Sequence, residues 1–477
     1  MTPRLHRRAL LVFLAVVAFT QLSFHRALFN RNNGNVWSRI ALTFAVVEHG
    51  TLAIDPYLAH TQDWSQHAAH RYSNKAPGPA LLSVPFYALQ RALQGAPADE
   101  DAERAAREVA AYVANAVTSI VPTLVALALL FRVGVRRFGL APLAALGLCG
   151  AWATGSLALP YTVVFFGHQS AAAFFAIGMC LTLDGKPTAP RIFWAGLCMG
   201  LAVACDYLAG ALVLLWTVWL LWETRALASA RWKLLAAWAL GGLGPALGLA
   251  AYHHACFGGI FTTPYARDVI NPQFLELNSP GVPSLDRLAD ITVRPFRGLF
   301  YATPLWLLVV LALDGRRARA RSVLVAAGAA TVAFFAFLSA TPAAHGGFCI
   351  GPRYAVALLP LALFLLVPAV QLVPRAFALL LALSTAMMLV GCLTEVLPHR
   401  ALTDPYRDAL FPMLIQDVQT PQRSLLVACG LTKVQALCAY LALWAATWAW
   451  LWARLRRETT PAAEEIACAL EVTGAPV

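Results

Sequence analysis

Charge is what this sequence has least of. Only 13% of its 477 residues are Asp, Glu, Lys or Arg, and 59% are hydrophobic, whereas roughly a quarter of the residues in an ordinary soluble domain are charged. That scarcity excludes a soluble globular enzyme. Disorder is excluded by the opposite surplus, 25 Phe and 14 Trp, which offer ample surface to bury. No HExxH, CxxC or other metal-ligand spacing occurs, and no GxxxxGK[ST] loop, which argues against ATP as an energy source. A disulfide framework is missing as well. Most of the ten cysteines, such as Cys149, Cys180, Cys198, Cys392 and Cys438, sit inside apolar stretches as small hydrophobes. The first apolar run is followed by FHRALFNRNN rather than a small-residue cleavage site, so it reads as a retained helix and not a signal peptide.

What is present in abundance is apolar runs long enough to cross a hydrocarbon core of roughly 30 Å. About twelve such stretches are expected to be helices, near 9–25, 109–131, 141–158, 169–183, 192–205, 207–222, 234–252, 298–313, 322–340, 355–373, 376–393 and 431–453. The fold class expected is all-α, a polytopic membrane protein. Residues 1–457 form a single transmembrane domain on this reading, and the acidic, Ala-rich 458–477 a short disordered tail.

The net charge of +12 would suggest nucleic acid in a soluble protein. Mapped onto the loops, it becomes a topology signal instead. Short basic connections (MTPRLHRR, RVGVRR, DGKPTAPR, ETRALASARWK, DGRRARAR, VPR and RLRRE) alternate with acidic or neutral ones, and an excess of Lys and Arg marks the cytoplasmic side. Both termini are then inside. Nineteen Lys and Arg face seven acids there, and seventeen of each sign lie outside. No nucleic-acid partner is implied.

The long loops, about 26–108, 253–297, 341–354 and 394–430, face outward, and ten of the eleven histidines, all but His6, lie outside in this topology, so chemistry is expected on that face. In the first, Ser38–His49 and 78–93 have the apolar spacing of helices lying in the membrane interface. Between them come Asp55, Asp63, three histidines (His60, His67, His70) and Lys75, the last just before an Ala-Pro-Gly turn. Further polar groups stand at span ends: His168 with Gln169, Asp206 with Tyr207, and His345, Arg353 and Tyr354 in HGGFCIGPRY. An ionisable residue there is costly unless it meets water or a partner, which makes each a functional candidate. Asp55 in IDPY also suits a turn, and Asp206 the end of a helical hairpin. The irregular histidine spacing fits solvated loop residues better than metal ligands. Arg353 has the planar fork that binds phosphate bidentately.

A first span, an outward loop with two interfacial helices, the turn SNKAPG, many spans and a late GPRY before a helix together resemble the integral-membrane glycosyltransferases of the GT-C fold. Within them the chain is most similar to the bacterial branch of aminoarabinose and protein O-mannosyltransferase-like enzymes, over roughly residues 1–370. Lys75-Ala76-Pro77 resembles the family's Lys-Pro-Pro turn, and Arg353-Tyr354 its late Arg-Tyr. Counted back from Gly50, the family's acidic pair falls on Asn35 and Val36, so the base does not carry over.

The resemblance implies transfer of a sugar from a polyprenyl-phosphate donor to a hydroxyl of a glycan, lipid or protein, on the outer face of the bacterial inner membrane. Lys75, Arg353 and Tyr354 would hold the phosphate. Asp55, at the end of the same interfacial helix as the missing pair, would take the acceptor's proton, and Asp63, His168 and Asp206 complete the catalytic candidates. The residues identify no cofactor, and a divalent cation is compatible with the reaction. The competing readings are a multispan transporter or flippase for a lipid-linked sugar or small solute, and a catalytically inactive GT-C-like protein. No internal repeat of the kind common in transporters is evident.

Overall fold

In a computed structural model, residues 3–30, 33–95, 97–268, 281–317, 320–342 and 344–456 are described. The tail expected over 458–477 lies outside the described residues. Each of the twelve apolar stretches is mostly helical, although 9–25 ends in the strand Phe24–Arg26 and 141–158 is broken between Ala153 and Ala158. Seven helices among the described residues are by themselves long and apolar enough to cross a membrane: Arg4–Leu22, Glu100–Arg136, Ala209–Phe257, Arg321–Ser339, Arg353–Leu372, Pro374–Leu393 and Lys433–Leu455. Pro142–Ala153, Ala189–Cys205 and Pro304–Leu313 are shorter apolar helices. At 49 residues, Ala209–Phe257 would run on the order of 70 Å if straight, far more than one crossing. It is broken at the basic turn Thr224–Leu227, where Ala228 takes φ +46°, and so divides into two arms, as the sequence led us to expect.

The helices used below are α1 (Pro3–Leu22), α2 (Gly34–His49), α3 (Gly78–Gln94), α4 (Glu100–Asn115), α5 (Val121–Arg136), α6 (Pro142–Ala153), α7 (Ala158–Thr162), α8 (Gly167–Leu183), α9 (Ala189–Cys205), α10 (Ala209–Glu223) and α11 (Ala228–Phe257). One continuous core, with Phe13, Trp152, Trp216 and Trp306 fully buried, joins them. The outside of the bundle is apolar too. Leu214, Trp232, Val332 and Leu379 are each more than 60% exposed, the mark of a surface that meets lipid rather than water.

The first loop is more structured than its polarity suggests. Both interfacial helices form, as α2 and α3. Between them Asp55–His60 makes a 3₁₀ turn, and β2 (Trp64–His67) pairs antiparallel with β3 (His70–Ser73), Trp64 opposite Ser73. A second small ladder pairs β1 (Phe24–Arg26) with β4 (Gln422–Ser424) and ties the first loop to the last. The part expected as loop up to residue 108 instead contains α4. Its start is set by Asp99, whose side chain accepts from the Ala102 N–H, with Glu100, Asp101 and Glu103 in the first turn, where the helix dipole favours acids.

Ionic bonds lock this loop together. Glu48, near the end of α2, accepts from Tyr57 at 2.7 Å, Tyr87 of α3 at 2.5 Å and Arg107 of α4 at 2.9 Å. Glu108 accepts from the Leu28 and Phe29 backbone N–H groups and meets His25 at 3.2 Å. Two glycines then press the loop and α8 against the end of α9. A Cβ on Gly78 would sit 2.6 Å from the Ala204 carbonyl oxygen, and one on Gly167 would run into the Cys205 carbonyl oxygen. Only a residue without a side chain allows these approaches.

Candidate active site

Where these elements meet, a cavity of about 230 Å³ opens, lined by Asn35 and Arg39 of α2, Lys75 and Ala76, His168, Cys205 to Leu208, Thr263, Tyr265, Arg353 and Tyr354. Each lining group is placed by local structure. Lys75 follows β3 in a turn whose Ser73 hydroxyl meets Ser38 of α2 at 2.9 Å and whose Asn74 donates to Asp268 at 2.8 Å. Asp206 follows the last residue of α9 and accepts the Leu208 N–H at 3.1 Å, a turn that fixes its carboxylate. His168 is in the first turn of α8, and its Nδ1 lies 2.5 Å from Asp206 Oδ2. Arg353 donates to the Phe348 carbonyl at 3.2 Å, and its guanidinium lies 5.3 Å from the Phe166 ring.

Arg39, Lys75, His168, Asp206, Arg353 and Tyr354 are all buried. Of the lining groups three are cations, Arg39, Lys75 and Arg353, and one, Asp206, is a carboxylate. A second carboxylate, Asp63, stands behind Lys75 with Oδ2 3.3 Å from Nζ. The Nε of Arg353 is buried without a hydrogen-bond partner. Burial pulls the Lys75 ammonium below the usual lysine range. Asp63 opposes that shift, and Arg39 and Arg353 add to it. Burial pushes the Tyr265 phenol up, so it stays a hydroxyl donor.

Five of the seven residues singled out from the sequence, Lys75, His168, Asp206, Arg353 and Tyr354, therefore converge on one cavity. Asp63 touches it only through Lys75. Asp55, the expected base, does not line the cavity. Its carboxylate accepts the Arg71 N–H at 3.3 Å, pairs with the Arg71 guanidinium at 3.6 Å and meets His70 at 3.2 Å, so it ties the 3₁₀ turn to the β2–β3 hairpin. Two further loop histidines are engaged within the loops themselves. His60 stacks on Trp37 at 4.1 Å. His345 is driven down to about 4 by burial first and then by Arg297 and Arg353, and its neutral Nδ1 accepts the Gly347 N–H.

Sequence reasoning missed Arg39 and Tyr265. For Arg39 a signal existed: it is a cation inside an apolar helix, four residues after Asn35, and its Nε donates to Asn35 Oδ1 at 3.3 Å. Asn35 thus lines the cavity at the place of the family's acid and holds an arginine there. Nothing in the sequence brings Tyr265 to the site. Among the described residues no three His, Cys, Asp or Glu side chains are grouped to hold a metal. The one lining carboxylate is already engaged by His168, so this donor set is a poor match for a divalent cation.

No family model and no curated protein matches the chain by sequence. Solved structures do match its shape. ArnT from Cupriavidus metallidurans bound to undecaprenyl phosphate superposes with a TM-score of 0.51 at 14% identity, over 94% of this chain and 75% of that one. The fold is of the GT-C type. ArnT in the apo state gives a TM-score of 0.45 at 16% identity, over 93% and 75% of the two chains. The Archaeoglobus fulgidus oligosaccharyltransferase gives 0.45 at 11% identity, over 81% of this chain and 58% of the other.

Proposed function

We propose that this GT-C-type chain is a glycosyltransferase that moves a sugar from a polyprenyl-phosphate-linked donor to a hydroxyl acceptor on the outer face of the inner membrane. One observation carries the reading: Arg39, Lys75 and Arg353 are buried around one cavity whose lining, among the described residues, holds a single carboxylate. Among the described residues these three cations outnumber the lining carboxylate and Asp63 behind Lys75, and an excess of buried positive charge favours an anion as the occupant. A phosphodiester supplies one charge in the donor and gains a second as the sugar departs. Fixed cations that bind the developing charge lower the barrier without reorganising. The α8 N-terminus opens on the same cavity, and its free N–H groups add to the positive field.

Residues 1–457 would act as one membrane domain with both termini cytoplasmic and the 26–108 loop outside, as the basic-loop pattern indicates. In this mechanism Lys75 and Arg353 grip the phosphate, with Tyr354 beside them. Arg39, held by Asn35, completes the cationic wall. The test is mass spectrometry of lipids and surface glycans from a deletion strain complemented with wild type, Lys75→Ala or Arg353→Ala. A sugar missing from the envelope and restored only by the wild type is expected. An unchanged glycan profile in the deletion strain would remove the assignment, and a lipid-linked sugar stranded on the inner leaflet would point to transport instead.

A further inference from the structure

With Asp55 outside the cavity and Asn35 in place of an acid, the transfer lacks an obvious group to take the acceptor's proton. The one lining carboxylate among the described residues, Asp206, is turned toward His168, with Oδ2 2.5 Å from Nδ1. A carboxylate on one imidazole nitrogen fixes the tautomer with the proton on Nδ1 and leaves Nε2 as the basic atom. Among the described residues that Nε2 has no hydrogen-bond partner. The ring is held edge-on between Tyr161, Phe166 and Tyr354, at 5.7–6.2 Å between centroids. Asp206 is itself held by the Leu208 N–H. This arrangement is more than the turn into α10 needs, since the turn is already held by the other carboxylate oxygen.

We propose that His168 is the catalytic base, with Asp206 its positioning residue. This rests on the transferase reading above. The acceptor oxygen forms a bond to the anomeric carbon, and the bond from that carbon to the donor phosphate oxygen breaks with its electron pair staying on the phosphate. The acceptor's proton passes to His168 Nε2. The charge changes match: the imidazole becomes a cation as the leaving phosphate gains its second negative charge. The charged groups facing His168 are Asp206 at the end of α9, Arg39 of α2 and Arg353 at the start of its span. Tyr161 of α7 and Tyr354 stand beside the ring. After transfer, Asp206 balances the new imidazolium, and handing the proton to the product phosphate resets the site.

The experiment uses the full-length protein in lipid nanodiscs, a panel of undecaprenyl-phosphate-linked hexoses and pentoses as donors, and ethanol or trifluoroethanol as surrogate acceptors. A general base contributes roughly 10²–10⁴-fold, so His168→Gln should lower transfer to ethanol by about that factor. Transfer to trifluoroethanol, whose hydroxyl is more acidic and needs less help, should fall far less. Undecaprenyl phosphate should still bind as to wild type, which also shows that the variant is folded. Asp206→Asn should displace the acid limb of the rate profile, and His168→Gln should abolish it. Equal losses with both alcohols, or a His168→Gln enzyme as fast as wild type, would overturn the dyad while leaving the transferase reading in place. A wild type that transfers nothing from any donor would overturn that reading and the dyad with it.

Discussion

At the scale of single residues, the decisive contrast is between Lys75 and Asp55, two groups that the sequence places in the same polar loop. Lys75 is buried on the cavity, whereas Asp55 sits in a half-exposed pairing with Arg71 and His70. Exposed pairs are worth about 0.2–1 kcal/mol, so Asp55→Asn should change thermal stability slightly and transfer not at all, as a melting curve and a transfer assay would show. If transfer were lost, Asp55 would regain the role of base. Lys75 also carries a pH signature. Because burial lowers its pKa, the charged form is lost at lower pH than the roughly 10.4 of an ordinary lysine. Affinity for undecaprenyl phosphate should therefore fall as pH rises through that lowered value, and binding on the alkaline side should take up protons. Lys75→Arg should move the fall to higher pH, which a titration of affinity against pH would reveal.

At the scale of elements, the site depends on how closely the first loop and α8 approach the end of α9. Gly167→Ala forces a Cβ into the Cys205 carbonyl. Overpacking of this kind costs about 1–3 kcal/mol, and here it would also separate His168 from Asp206, so activity should fall more than stability does. The Glu48 hub predicts the reverse. Glu48→Ala leaves the half-buried Arg107 without its α2 partner and Tyr57 and Tyr87 without their acceptor, and each hydrogen bond to a charged group is worth about 1.5–3 kcal/mol. The melting temperature should drop sharply, more than for Asp55→Asn, and a Glu48→Ala protein as stable as wild type would contradict the brace. The two interfacial helices were legible from periodicity because one face of each is apolar, and the span helices from the length of their apolar runs. The β2–β3 hairpin and α4 were not. Four-residue strands carry no period, and α4 is polar on one face and begins within what reads as a hydrated loop.

At the scale of the whole molecule, the fold was legible because the bilayer imposes it. Apolar runs must be helices, and the basic loops rank their ends. The order of the two interfacial helices, SNKAPG and GPRY carried the family resemblance, and the shape agrees with ArnT. The site was legible where charge stood at the end of a span, as for His168, Asp206 and Arg353. It was illegible where only the fold brings a residue in, as for Tyr265, or takes one away, as for Asp55. The orientation proposed from the same loops is open to a direct test. A single cysteine introduced at Gln66 should react with an impermeant thiol reagent added outside intact spheroplasts, and one at Arg225 only after lysis; the opposite pattern would invert the topology.

The central claim, that three buried cations form a polyprenyl-phosphate site, is tested most directly by the affinity of the purified protein for undecaprenyl phosphate. Wild type and Asp55→Asn should bind alike, and Lys75→Ala and Arg353→Ala should each bind at least about tenfold more weakly, since a charge-assisted contact is worth about 1.5–3 kcal/mol. Equal affinity for all four proteins would contradict the claim.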